Sequence, residues 1–218
     1  MFKKVTYLIL LLLTLTSCIE IIDDISLNSD GSGKFAYSIN LSQSKIDINS
    51  YLALDYYDGK KVPSKSELKQ KCFDFRDSME KQPGISNCNL TIDDENFIIK
   101  FNCNFNSVEN LQMAIFTVIE SVSKRTVSRS YWITQSGDTI TKKIPDFVSG
   151  YKNYNQLEQS KLSSGVYNSI IRSDKQIKSF TNQNSTLSKN GSAVLTKVNT
   201  FLLSQQPYLV NNSIVLIK

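Results

Sequence analysis

Among its 218 residues the chain has no histidine. That absence removes Ser-His-Asp and Cys-His catalysis, His-ligated zinc and haem, and an imidazole switch near neutral pH. Cysteine is scarce as well. The four are Cys18, Cys72, Cys88 and Cys103, and the last three lie 16 and 15 positions apart, spacings that match no zinc or redox motif. No metal and no cofactor is therefore expected. The one Gly-x-Gly, Gly31-Ser32-Gly33, is followed by a strand pattern instead of the helix a phosphate loop needs. Lysines and arginines are interspersed with acids, so no basic stripe offers itself to nucleic acid. No apolar run reaches the ~20 residues that a membrane-spanning helix needs.

What the chain does have begins at its first residues. Lys3 and Lys4 precede an apolar run from Tyr7 to Leu15 that ends in Leu15-Thr16-Ser17-Cys18. A basic stretch, a short apolar stretch and small residues at a cleavage point make a secretory signal over 1–17. The tetrapeptide resembles a bacterial lipobox. That resemblance implies cleavage between Ser17 and Cys18, diacylglycerol on the Cys18 sulfur, and an acyl chain such as palmitate on the new amino group. At ~0.8 kcal/mol per buried CH₂, two or more chains hold a protein where one does not. Cleavage removes two of the 25 basic residues, leaving 23 against 20 acidic and a net charge of +3. The expected location is the bacterial envelope, anchored in a membrane by the N-terminal lipid, with the outer membrane favoured over the inner.

The mature chain reads as an α+β protein: antiparallel hairpins with two amphipathic helices packed on one face, then a β-rich C-terminal part. In the first hairpin Ile19, Ile21, Ile25 and Leu27 alternate before Asp30-Gly31-Ser32-Gly33, and Phe35, Tyr37, Ile39 and Leu41 alternate after it. Folding about Gly31 predicts Leu27 opposite Phe35 and Ile25 opposite Tyr37. Residues 42–63 read as a loop with a short helical or extended piece. Ser64 and Glu67 form a capping box for a helix whose stripe is Leu68, Cys72, Phe75 and Met79. In the second hairpin Cys88, Leu90 and Ile92 are answered by Phe97, Ile99, Phe101, Cys103 and Phe105. A two-residue turn opposes Cys88 to Cys103, and a four-residue turn opposes it to Phe101. Ser107 caps a second helix with Leu111, Ile115, Val118, Ile119 and Val122 inward and Lys124-Arg125 at its end.

Residues 18–126 thus form a ββαββα region. Residues 127–218 form a β-rich region read as continuous with it, with strands at 127–135, 139–144, 166–173, 176–181, 193–196 and 209–217 and a break at Asn211-Asn212. Cys72, Cys88 and Cys103 all fall on core-facing positions. One disulfide among them, pairing open, and three buried thiols are equal alternatives in an oxidising compartment.

Cys18 leading directly into an alternating strand, then Asn28-Ser29-Asp30-Gly31-Ser32-Gly33 and a second strand, resembles the LppM-type bacterial lipoproteins and lipoproteins of Bacteroidota. The resemblance covers about 25 residues and carries no catalytic residue. It implies an envelope lipoprotein with a β-rich α+β ectodomain.

Three functions follow for comparison. The first is a non-catalytic interaction or assembly module, held by Cys18 and meeting another envelope protein. The second is a carrier of lipid or another hydrophobic ligand, which needs a cavity between the aromatic-rich sheet and its helices. The third is a hydrolase relying on carboxylates alone, from Asp23, Asp24, Asp93, Asp94 and Glu95, which needs two of them to face each other across a cleft. The chain is expected not to be an enzyme. Replacement of Cys18 by Ala should leave the protein unprocessed or free in solution; retention of that variant in carbonate-washed membranes would refute the anchor.

Overall fold

The computed structural model describes residues 19–57, 59–123, 129–144 and 156–217. The expectations for Ser17, Cys18, Lys124-Arg125 and the start of the 127–135 strand lie outside the described residues. The chain is α+β. A seven-stranded sheet is built from β1 (Glu20–Leu27), β2 (Gly33–Asn40), β5 (Ile85–Asp93), β6 (Ile98–Phe105), β9 (Val166–Ser173), β11 (Ser185–Leu187) and β12 (Ala193–Asn199), in the order β11-β12-β9-β1-β2-β6-β5. All neighbours are antiparallel except β1 and β9. Through that parallel pair, strands of the later half extend the sheet begun by the first hairpin.

Its covered face carries two kinds of layer. Over β5 and β6 lie α2 (Lys65–Glu80) and α3 (Val108–Ser123). Beside them is a four-stranded sheet, β10-β13-β8-β7, formed by β7 (Ile133–Ser136), β8 (Thr139–Lys142), β10 (Ile177–Phe180) and β13 (Asn212–Leu216). One continuous core joins Ile25, Leu27, Ile171 and Val194 of the large sheet to Ile133, Ile140, Ile214 and Leu216 of the small one. The remaining elements gather at the end of the large sheet where β1 starts: α1 (Lys45–Leu52), the ribbon β3 (Tyr56–Tyr57) and β4 (Lys60–Lys61), α4 (Gln156–Ser163) and α5 (Thr200–Gln205).

The first hairpin keeps its predicted face and shifts its register by two. Leu27 pairs with Gly33, Ile25 with Phe35 and Asp23 with Tyr37. The loop spans five residues, 28–32, closed by Asn28 N–H donating to Ser32 O and Gly31 N–H donating to Asn28 O, at 2.8 and 3.0 Å. Gly31 takes the left-handed φ of 84°. Gly33 is required for a different reason: a Cβ there would lie 2.0 Å from Ser26 O and 2.6 Å from the Phe105 ring.

The helix caps are as the sequence indicates. Ser64 accepts from Glu67 N–H while the Glu67 carboxylate accepts from Ser64 N–H, and Ser107 Oγ accepts from Asn110 N–H. The stripe of α2 divides, however. Met79 is fully buried and Phe75 packs on the core, whereas Leu68 is exposed and Cys72 faces a shallow groove with Ile48, Ile92 and Phe97. Helix α3 is buried on more than its predicted stripe: Val108, Leu111, Gln112, Ala114, Ile115, Phe116 and Val118 are all covered, because it lies between α2 and the edge strand β7. Gln112 binds that edge, its Oε1 accepting the backbone N–H groups of Trp132 and Ile133 at 3.0 and 3.2 Å.

Candidate functional site

Strand parity decides what enters the layer between sheet and helices. Ile21, Asp23, Ile25 and Leu27 share one face of β1, so an acid is carried inward with the apolar residues. Asp23 is 7 % exposed. The same alternation carries Lys142 inward beside Ile140 on β8, and Ser169 inward between Tyr167 and Ile171 on β9. These groups meet. Lys142 Nζ donates to Asp23 Oδ2 at 2.6 Å and to Ser169 Oγ at 2.8 Å, and the Tyr167 hydroxyl donates to the same Asp23 oxygen at 2.7 Å. Burial, then the Asp23 carboxylate, pushes the Tyr167 phenol well above its ordinary range; the Tyr37 phenol is raised for the same reasons in the same order.

Beyond this cluster is a partly open apolar cavity of about 290 Å³, bounded by the aromatic rings of Phe35, Tyr37, Phe75, Phe101, Trp132 and Tyr167 and by Ile115, Ile119 and Ile144. It lies near the low end of the ~300–1,000 Å³ usual for ligand pockets. Two residues of its wall each carry a buried polar atom without a hydrogen-bond partner: Asp23 its Oδ1, an acceptor, and Trp132, itself 4 % exposed, its Nε1–H, a donor. Buried polar groups are nearly always satisfied, and each exception needs a reason. The cavity is therefore a hydrophobic volume two of whose wall residues hold an unused acceptor and an unused donor in covered positions. Asp23 and Lys142 cancel in charge, which favours a neutral polar group on whatever enters.

Ser169 and Lys142 are close, but the lysine donates to the hydroxyl and to a carboxylate, and Ser169 is outside the cavity wall. The five acids considered from sequence are dispersed. Asp23 and its neighbour Asp24 face opposite sides of the sheet, Asp24 receiving Arg172 in a fork of 2.8–3.0 Å bonds. Asp93 accepts the backbone N–H groups of Glu95 and Asn96 at a turn, and Asp94 pairs with Lys69. Among the described residues Asp23 is the single carboxylate of the cavity wall, and no group of three His, Cys, Asp or Glu could hold a metal. Asp23, though it stands on a strand with a charged neighbour, is not solvated: its side chain is inside.

The cysteines are not brought together as a set. All three are free thiols. The outer part of the second hairpin has the register Ile92 opposite Ile99 and Leu90 opposite Phe101, which sets Cys88 toward Cys103; a bulge then intervenes, with Asn87 at a left-handed φ of 54°. Burial pushes the Cys103 thiol up to about 12 and that of Cys88 higher still. Cys72 does not share their core-facing environment; it is half-buried in its separate groove.

No family model matches the sequence, and no curated protein matches it. Among solved structures, the chain is similar to the folded domain of LppM from Mycobacterium tuberculosis, with a TM-score of 0.43 and 8 % identity over 92 % of this chain and 91 % of that one. Those values are too low to place the two in one fold or to carry a role across. The cavity and its polar cluster rest on this chain's own residues. The signal that could have located them is parity: Asp23, Lys142 and Ser169 occupy inward positions of strands that were themselves legible.

Two measurements follow. Asp23→Ala should cost about 3–5 kcal/mol of unfolding free energy, because it leaves Lys142 buried and unpaired, while Asp23→Ala combined with Lys142→Met should recover most of it. Urea midpoints of the single and double variants check this, and equal losses in both would contradict it. In the second measurement, the raised phenols favour their neutral form in the fold. Their contribution is complete below pH ~10, the unfolded value, and is lost as pH rises above it, because the unfolded chain ionises first. Unfolding free energy should therefore fall above pH ~10, and Tyr167→Phe should make that fall shallower; an unchanged slope would remove Tyr167 as its source.

Proposed function

We propose that this protein is a lipid-anchored envelope protein, held by Cys18, whose ectodomain is a non-catalytic binder of a ligand with an apolar chain and a neutral polar group. Of the functions considered from sequence, the carrier gains the specific support. The observation that carries it is the cavity between the large sheet and α2 and α3, whose wall is apolar apart from Asp23; two of its wall residues keep a buried polar atom without a partner, Asp23 Oδ1 and Trp132 Nε1. A hydroxyl or amide can donate to the first and accept from the second. Apolar chain and neutral head together describe an amphiphile of the lipid class. Supporting the location is the arrangement of Lys3, Lys4, the apolar run and Leu15-Thr16-Ser17-Cys18.

Such a role needs no reacting group, and it accounts for a cavity that a purely structural core would fill, since interiors pack as densely as organic crystals. An envelope protein that delivers or receives the ligand is the partner this role implies.

Solvent extraction of the purified native protein, followed by mass spectrometry, should release an apolar-chain molecule in near-stoichiometric amount in addition to the Cys18 anchor. Ile119→Phe, which fills the cavity from a partly buried position on α3, should reduce that amount while leaving the fold intact by circular dichroism. Retention of the same molecule by Ile119→Phe, or its absence from the native protein, would remove the cavity as a binding site.

A further inference from the structure

The end of the large sheet where β1 begins has a surface that the core does not explain. Glu20 pairs with Asn40 and Val166, so the start of β1, the end of β2 and the start of β9 lie side by side. The chain leaving Asn40 projects from this end as α1 and the β3–β4 ribbon. Along it Ile46, Tyr51, Leu54, Tyr56 and Tyr57 are exposed, Ile46 at 82 % and Tyr56 at 67 % of their surface. Single exposed apolar residues need no explanation, but five within twelve positions, three of them tyrosine, are a concentration that does.

The segment has fixed structure. Tyr51 and Tyr57 meet edge to face with centroids 5.4 Å apart, Val62 N–H donates to Asp55 O, and Asp47 pairs with Lys161 of α4 at 3.0 Å. Lys60 and Lys61 adjoin the tyrosines and are exposed. Tyrosine rings beside lysines whose stems can lie along apolar matter while their charges reach water are the composition of the membrane–water interface.

The length of chain before the fold selects the occupant. Cys18 is two residues from Glu20, and two residues reach at most ~7 Å. An acyl-bearing Cys18 therefore fixes this end of the sheet, and no other, against the lipid. We infer that the surface formed by residues 46–57 is seated in the interface of the bilayer that holds the anchor, Tyr56 and Ile46 entering the headgroup and upper acyl region. The inference rests on the anchor reading of Cys18. It also sets the cavity close to lipid, since Asp23 is three residues along β1 from Glu20.

The test uses the native, lipidated full chain in vesicles of phosphatidylethanolamine and phosphatidylglycerol, part of the lipid brominated in the upper acyl chain. Tryptophan is added singly as Tyr56→Trp, Ile46→Trp or, at the opposite end of the sheet, Lys189→Trp, and the emission of Trp132 in the parent is subtracted. Bromine should quench most of the added emission at 56 and 46 and leave that at 189 unchanged. A protein that floats with the vesicles while 56 and 46 stay unquenched overturns the docking and leaves the anchor standing. A blue shift at 56 and 46 without bromine quenching means that a second copy or another protein covers the patch, and likewise overturns it. If the protein neither carries acyl chains nor floats, the anchor reading falls and the docking falls with it.

Discussion

A carboxylate and an ammonium brought out of water together are the constraint around which the rest of the molecule is arranged. Asp23 on β1 and Lys142 on β8 belong to different sheets, and each makes a further hydrogen bond with β9: Asp23 accepts from the Tyr167 hydroxyl and Lys142 donates to Ser169 Oγ. Apolar contacts between the sheets, such as Ile25 and Ile171 with Ile140 and Ile214, supply the larger part of the attraction, because burial of apolar area is the dominant favourable term in folding. They are tolerant of sliding. The ion pair is not: a shift of β8 along the large sheet would leave both charges buried and unpaired, at a cost of several kcal/mol. The apolar layer thus holds the sheets together, and the pair selects one relative position.

That division shows in what sequence could reveal. The first hairpin, both helix caps and the alternation of the second hairpin were legible because each is local: a turn residue, a capping box, a period of two. The register of the first hairpin was not, since a loop centred on Gly31 and one spanning 28–32 place the same residues on the same face. Only tertiary packing separates them, through Gly33 lying against Phe105. Residues 42–63 were ambiguous because their apolar side chains have no period and, as it proves, little core to reach. The stripe of α2 was correct in phase but not in depth: Leu68 and Cys72 lie beyond the edge of the covered layer, where Phe75 and Met79 still meet it.

The polar cluster was legible in principle. An acid at an odd-numbered position between Ile21 and Ile25 breaks the apolar face of β1, and such a break is either solvated at a sheet edge or compensated inside. β1 is central, between β9 and β2, which leaves compensation. That centrality depends on β9 pairing parallel with β1 from about 145 residues away, a long-range contact with no local signature. Lys142 has the same history, a charge in phase with Ile140 on a short strand. Neither residue alone distinguishes a buried pair from surface charge. The two together, both inward by parity, do.

The cavity and the ion pair are connected physically. Asp23 uses Oδ2 for Lys142 and Tyr167 and leaves Oδ1 buried without a partner, in a residue of the cavity wall. That oxygen is an acceptor already buried without a partner, which costs about 1–3 kcal/mol or more for a charged group. Moving Asp23 away would break the pair that positions the sheets. The side chains around it, Phe35, Tyr37, Phe101 and Trp132, are rigid rings that cannot flow into the space as methionine does. Collapse of the cavity is therefore opposed from both directions, by an ion pair that holds Asp23 in place and by aromatic side chains that cannot reshape. A ligand group that donates to Oδ1 would satisfy that oxygen without disturbing either. Binding, on this view, completes a hydrogen-bond set that folding leaves one partner short, and the affinity gained is confined to molecules that supply both the donor and the apolar chain.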